Sequence, residues 1–186
     1  PHLRAALSDE KVGYLTRADN RHAKAGNINA ALPRTDGELI LFLDADHVPT
    51  VDILEHTVGW FLQDQQLFLV QTPHFFITPD PVEWNLETHQ RMPSENEMFY
   101  MNIQRGLDFW NSSFFCGSAG LLRRHHLQEI GGFSTESVTE DAATSLSLHQ
   151  KGLNSVYVSR PLISGLQPPT YGDFVRQRVR WAQGMT

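Results

Sequence analysis

The apolar pattern is densest at Leu39-Ile40-Leu41-Phe42-Leu43, five residues that run directly into Asp44, Asp46 and His47. An unbroken run of this length predicts a strand covered on both faces, in the middle of an α/β sheet. Two carboxylates and an imidazole at its end would be costly to bury unpaired, so a cationic partner is expected there. In open α/β sheets the ligand crevice lies at the carboxyl ends of the strands, where these groups emerge. Asp44 and Asp46 are two apart, so their side chains share one direction if the extended backbone persists.

The rest of the chain alternates between two periods. Short strands are predicted over 12–15, 67–71 and 155–158. Ile53, Leu54, Val58, Phe61 and Leu62 recur at helical spacing behind Thr50, a candidate N-cap. Further helices are predicted over 28–32 (ending before Pro33), 82–91, 95–108, 124–130 (closed by Gly131-Gly132) and 171–182. Another, over 140–151, has Thr139 as its cap and Gly152 as its stop, with Ala142, Ala143, Leu146 and His149 as a core-facing stripe. Residues 16–27 and 75–81 read as loops. Strands alternating with helices indicate an α/β fold.

Composition narrows the class. A chain of 186 residues suits one domain with a sizeable core. A net charge of −6 argues against a general nucleic-acid binder, and no nucleic-acid partner is expected. The single cysteine, Cys116, excludes an internal disulfide and fits a reducing compartment. No apolar run has the length needed to cross a bilayer. The sequence opens on Pro1 without a signal peptide, and reads as a piece of something longer.

Five constellations could carry chemistry. Asp44, Asp46 and the adjacent His47 suit a hard divalent cation that keeps other positions for water or phosphate. In His22-Ala23-Lys24-Ala25-Gly26-Asn27, a Lys beside Gly ahead of a helix can hold a phosphate, although the P-loop pattern is missing. Glu140 and Asp141 stand in the first turn of a predicted helix; the dipole favours them there, and a helix tip can also present a general base. Gln177, Arg180 and Trp181 share one helical face, with Arg suited to diphosphate oxygens and an indole suited to stacking on a sugar or a base. Cys116, between Phe115 and Gly117, has no sequence-linked base, so packing is expected of the thiol rather than nucleophilic attack. A metal, a diphosphate site, a base and a flat-ring platform together fit sugar transfer from a nucleotide diphosphate, which needs one carboxylate base where a glycosidase needs two.

The ordered set Lys24-Ala25-Gly26-Asn27, Asp44-Ala45-Asp46-His47, Gln71-Thr72-Pro73-His74-Phe75-Phe76, Phe114-Phe115-Cys116-Gly117-Ser118, Thr139-Glu140-Asp141 and Gln177-x-x-Arg180-Trp181 resembles the catalytic subunits of bacterial cellulose synthases. These are processive, inverting family 2 glycosyltransferases of the GT-A (Rossmann-like) fold, with a mixed central sheet. The resemblance implies that Asp44 and Asp46, with His47 helping, bind Mg²⁺ or Mn²⁺ and UDP, and that Lys24 faces the diphosphate. It implies that Asp141 is the base for the acceptor 4-hydroxyl, with Glu140 beside it among the substrate-binding residues. Phe115, Cys116 and Gly117 would border the acceptor end, and Gln177, Arg180 and Trp181 would hold the diphosphate and stack the acceptor sugar.

The family's upstream Asp-Asp-Gly element has no counterpart before Lys24, and its flanking membrane helices and cyclic di-GMP domain have none either. Residues 1–186 are therefore expected to be the central and C-terminal part of the catalytic domain, a partial domain inactive by itself. The full-length protein would use UDP-glucose to extend a β-1,4-glucan at the cytoplasmic face of the bacterial inner membrane, with an accessory synthase subunit. The alternatives are another processive β-glycan synthase (chitin, hyaluronan, curdlan or mixed glucan) and a non-catalytic metal- and nucleotide-binding module.

Overall fold

The computed structural model describes residues 13–184. Five apolar residues at 67–71 build the centre of the fold. They form the strand β3 (Leu67–Gln71), buried along its whole length. It lies in a four-stranded sheet with β1 (Leu39–Phe42), β5 (Gly120–Arg123) and β6 (Asn154–Tyr157), in the order β1-β5-β3-β6. β5 is antiparallel to both of its neighbours and β6 is parallel to β3, so the sheet is mixed, as expected.

The run at 39–43 does not occupy the middle of this sheet. β1 is its end strand among the described residues, and each of its residues is half-buried. Both of its faces still meet core, Ile40 and Phe42 on one side and Leu39 and Leu41 on the other, which accounts for the unbroken apolar pattern. Register then fixes where the polar groups emerge. Phe42 pairs with Gly120 and Leu39 with Arg123, so Asp44 and Asp46 leave at the Gly120 end.

Helices cover both faces. α1 (Ala23–Ala31) and α6 (Arg124–Glu129) lie over the cluster of Phe68, Leu122 and Leu127, joined by α7 (Glu140–His149) through Leu148. α2 (Ile53–Gln63) covers the other face by burying Ile53, Thr57 and Phe61 at four-residue spacing. Leu54 and Leu62, grouped with that stripe by periodicity alone, point outward. Asp52 rather than Thr50 precedes the first turn.

A second, three-stranded sheet combines β2 (Val48–Pro49), β7 (Ile163–Gly165) and β4 (His74–Phe76) in the order β2-β7-β4. It corrects the loop expected from Phe75 onward. The helix expected over 82–91 is only α3 (Pro81–Asn85), started by a capping box between Asp80 and Glu83 and followed by Glu87 at φ 54°. The helix expected over 95–108 forms as α4 (Glu95–Met98), a π-helical stretch (Phe99–Gln104) and α5 (Arg105–Phe109). α8 (Tyr171–Gly184) closes the described chain. Pro33 sits inside a 3₁₀ turn that continues α1 rather than after it. Gly13 to Leu15 form no strand, and Val12 lies outside the described residues.

Two buried cations tie the elements together. The guanidinium of Arg123, 3% exposed, donates to the carbonyls of Phe61, Asp64 and Leu67 at 2.7 to 3.1 Å. It thus supplies donors for the end of α2, where helix carbonyls lack partners. Arg124 does the same for Leu32 and Gly37. Arg123→Ala should lower stability by about 1–3 kcal/mol or more, because it strands buried carbonyl acceptors, each costly to leave unpaired, that a small apolar side chain cannot satisfy. A urea midpoint within error of the parent would contradict that role.

Candidate active site

The Gly120 end of the sheet opens into a cavity of about 710 Å³. Lys24, Asp44, Asp46, His47, Cys116, Gly117, Glu140, Asp141, Gln177, Arg180 and Trp181 all line it, so residues spread over most of the chain converge on one space. Phe115 does not. It is 1% exposed and packs in the core, 5.5 Å from the Phe42 ring and 5.7 Å from Phe133. A flat apolar ring flanked by two others is better satisfied there than in a polar cavity, which corrects its assignment to the acceptor border.

Lys24 stands in the first turn of α1 rather than ahead of it. Its ammonium contacts the Asp44 carboxylate and the Gly117 carbonyl, bridging the end of β1 to the Cys116-Gly117 loop. Ser118 reinforces this bridge. Its hydroxyl accepts the Asp44 N–H at 2.9 Å and lies 2.6 Å from Nδ1 of His47. The His47 ring also packs edge-on against His74, 5.0 Å away.

Asp46 is the exposed oxygen donor of the trio, and Asp44 offers its carboxylate beside the Lys24 ammonium. Among the described residues, the ligand atoms of Asp44, Asp46 and His47 do not gather into one tight cluster. A hard divalent ion there would take one or two of these carboxylates and complete its remaining positions with phosphate and water oxygens. Both carboxylates would hold the ion, and His47 could add its Nε2.

Asp141 presents the site's perturbed carboxyl. Burial pushes its pKa above the usual carboxylate range, aided by Glu140, and opposed by the Ala142 N–H and Lys24. The Ala142 N–H donates to Oδ1 at 2.9 Å, leaving Oδ2 facing Gly117. Gly117 has φ +84°, and a Cβ there would lie 3.0 Å from Oδ2, so only glycine keeps this approach open. Thr139, the expected cap of α7, makes no side-chain cap; its hydroxyl donates instead to the Gly184 carbonyl at 2.7 Å. The buried face of α7 is Thr144, Ser145 and Leu148, not the expected stripe, and Leu146 is exposed. Polar residues turn inward because the Ser145 hydroxyl serves both the Asp141 carbonyl and the Phe115 N–H.

Cys116 is held rather than activated. Burial raises its thiol well above the ordinary value, the Asp141 charge adds to this, and Gln104 Nε2 lies 3.0 Å from the sulfur. A thiol so placed is a poor nucleophile. Cys116→Ser should keep turnover within about tenfold, because only a packing and hydrogen-bonding atom changes. Trapping a covalent substrate adduct on Cys116 would refute this.

Several residues have site roles that the sequence reading does not assign, although Gln71 and His74 stand in one of its motifs. Gln71 is fully buried; its Nε2 donates to the carbonyls of Thr72 and Ser118, and its Oε1 accepts the Cys116 N–H at 3.1 Å. His74 lines the cavity and donates Nε2–H to the Ser118 carbonyl; burial lowers its pKa to about 4, so it is neutral at pH 7. Tyr100 reaches the cavity from the π-helical stretch. Arg178 lies over the rings of Phe174 and Trp181 at 4.6 and 4.5 Å and pairs with Glu95 at 3.1 Å, fixing Trp181 against α4.

A narrower cavity of about 230 Å³ adjoins the first. Aromatic side chains of Phe99, Tyr100 and Phe114 line it, and it shares Cys116, Asp141 and Trp181 with the wide one. Asp141 therefore stands where a polar cavity meets an aromatic one.

The fold supports this geometry. The structure matches the mannosyltransferase PcManGT from Pyrobaculum calidifontis, solved with GDP-Man and Mn2+, at TM-score 0.67 and 21% identity, over 99% of this chain and 47% of that one. It matches S. aureus TarS 1-349, solved with UDP-GlcNAc, at TM-score 0.61 and 13% identity, over 91% of this chain and 46% of that one. The mixed α/β architecture is that of the GT-A glycosyltransferases. The sequence matches the family model for glycosyl transferase family group 2 over residues 39–186, and the chain belongs to that family.

Its relatives narrow the likeness. It is 47% identical to a cellulose synthase catalytic subunit (UDP-forming) of Xanthomonas axonopodis pv. citri, over 98% of this chain and 25% of that protein. It is 51% identical to the subunit of the same name from Pseudomonas fluorescens, over 94% of this chain and 24% of that protein. The chain spans about a quarter of the length of these relatives.

Proposed function

We propose that the protein carrying this chain transfers glucose from UDP-glucose to the 4-hydroxyl of a growing β-1,4-glucan with inversion, residues 1–186 forming the central and C-terminal part of its catalytic domain. The position of Asp141 at the junction of the two cavities carries the reading. The wide polar cavity takes the nucleotide sugar. The narrow aromatic cavity takes the end of the glucan, with Trp181 stacking on a sugar face.

In the reaction Asp141 accepts the proton of the acceptor hydroxyl as that oxygen bonds to the sugar's anomeric carbon. The bond from that carbon to the diphosphate breaks, and UDP departs with the electron pair. Lys24 and Arg180 face the diphosphate and stabilise the charge it gains. A divalent cation on Asp44 and Asp46 would act there as a Lewis acid. Burial keeps Asp141 a stronger base than a solvated carboxylate, and the Ala142 N–H orients it.

No helix among the described residues is long and apolar enough to cross a membrane. On the family resemblance carried by the motifs above, the full-length protein is placed at the inner membrane, on its cytoplasmic side, working with membrane helices, an accessory subunit and a cyclic di-GMP domain. The test is incubation of the full-length protein with radiolabelled UDP-glucose and Mg²⁺, followed by digestion with a β-1,4-specific cellulase. Label released as cellobiose supports the proposal. Incorporation from UDP-N-acetylglucosamine instead would replace it with another β-glycan synthase, and UDP binding without transfer would replace it with a binding module.

A further inference from the structure

The opposite end of the sheet carries a group of side chains with metal-ligand chemistry. Register places Gly120 at the cavity end of β5 and Arg123 at the far end, and α6 follows Arg123 immediately. On α6, His125, His126 and Glu129 each bring one ligand atom to within 4.8 Å of the others, the only such trio among the described residues.

His126 supplies the directing observation. It is 4% exposed, and its Nε2 lies 3.2 Å from the Gln65 carbonyl, which can only accept. That bond puts the proton on Nε2 and leaves the lone pair on Nδ1. Nδ1 is buried without a hydrogen-bond partner and points at Glu129, whose Oε2 is 3.7 Å away. Two ligands spaced tetrahedrally around one ion at ~2.1 Å are about 3.4 Å apart, so this pair needs only a small adjustment. His125 and Glu129 are exposed and can close around an ion at the cost of a rotamer change. A histidine whose second nitrogen donates to a backbone carbonyl is the arrangement that orients imidazole metal ligands.

We propose that His125, His126 and Glu129 form a binding site for a divalent transition-metal ion of the Zn²⁺ class, separate from the pocket at Asp44 and Asp46. Two imidazoles and one carboxylate select this class over Mg²⁺, which prefers oxygen alone. The fourth position is open to water. Through Gln65 the ion ties α6 to the turn between α2 and β3, so its effect falls on that end of the fold rather than on the pocket. The site does not depend on the proposed transferase activity.

The test uses the untagged full-length protein in saturating Mg²⁺, titrated with Co²⁺ and then displaced with Zn²⁺. The expected result is a visible d–d absorption at one equivalent, lost on adding Zn²⁺. Outer partners of metal ligands are worth about 10–100-fold in affinity, so His125→Ala and Glu129→Ala, which remove ligands themselves, should weaken binding by at least about tenfold. Both residues are exposed, and circular dichroism checks that the variants fold. The same variants should lose the rise in melting temperature that Zn²⁺ gives the parent. No absorption band in the parent, or equal binding by parent and folded variants, overturns the site and leaves a proton as the partner of His126 Nδ1.

Discussion

Asp141→Asn in the full-length protein should reduce sugar transfer by about 10²–10⁴-fold, the range that a positioned general base contributes, while donor binding is unchanged. The substitution keeps the volume and the acceptor for the Ala142 N–H, so it removes basicity with little else. The pH profile supplies a second readout. Burial raises the Asp141 pKa, so its acid form persists to higher pH than for a solvated aspartate. Activity should follow the deprotonated fraction, flat above the raised pKa and declining as pH falls through it. That limb belongs to Asp141 and should vanish from the residual rate of the Asn variant. The same limb in the variant, or a rate close to the parent's, would remove Asp141 from the base role.

Asp46→Asn should weaken metal-dependent UDP binding by well over about tenfold, since losing even an outer partner of a metal site costs 10–100-fold. Asp46 is exposed and lines the cavity, so stability should not change with it. Metal-independent binding, carried by Lys24 and Arg180, should persist. Calorimetry with UDP in Mg²⁺ and in chelator separates the two contributions. Equal Mg²⁺ dependence in parent and variant would move the ion away from these carboxylates. Asp44 is the less clean probe, because its carboxylate also holds Lys24.

The parts of the fold legible from sequence are those with enough residues to show a period. β3 and α8 lie almost where the pattern puts them, and the carboxylates after 39–43 do emerge at a cavity. The second sheet was not legible, because strands of two or three residues, one containing Pro49, are too short to alternate. The inward face of α7 departs from the hydrophobic pattern, because two of its three buried residues are polar. Thr144 and Ser145 are buried for the hydrogen bonds they make, not for their apolar area. Phe115 is placed at the acceptor border by the resemblance of its motif, whereas adjacent residues at a loop-to-strand junction can face opposite ways, and its ring packs in the core. His74 stands in a motif that carries the resemblance, but its contact with Tyr100 is not legible there, since what brings the two together is the packing of β4 on the π-helical stretch.

The hydroxyl of Thr139 on the Gly184 carbonyl has a mechanical consequence. It clips the tip of α7, which holds Asp141, to the last described turn of α8, which holds Trp181. A Cβ on Gly184 would fall 2.5 Å from Thr139 Cγ2, so the two backbones meet with no clearance. The two sides of the cleft are thus latched at one end, and on the proposed reading the gap between Asp141 and Trp181 that would take a sugar ring is held like a fixed gauge. Widening that gauge for a bulkier acceptor would start by undoing the latch, with Thr139→Val, rather than by enlarging the pocket walls.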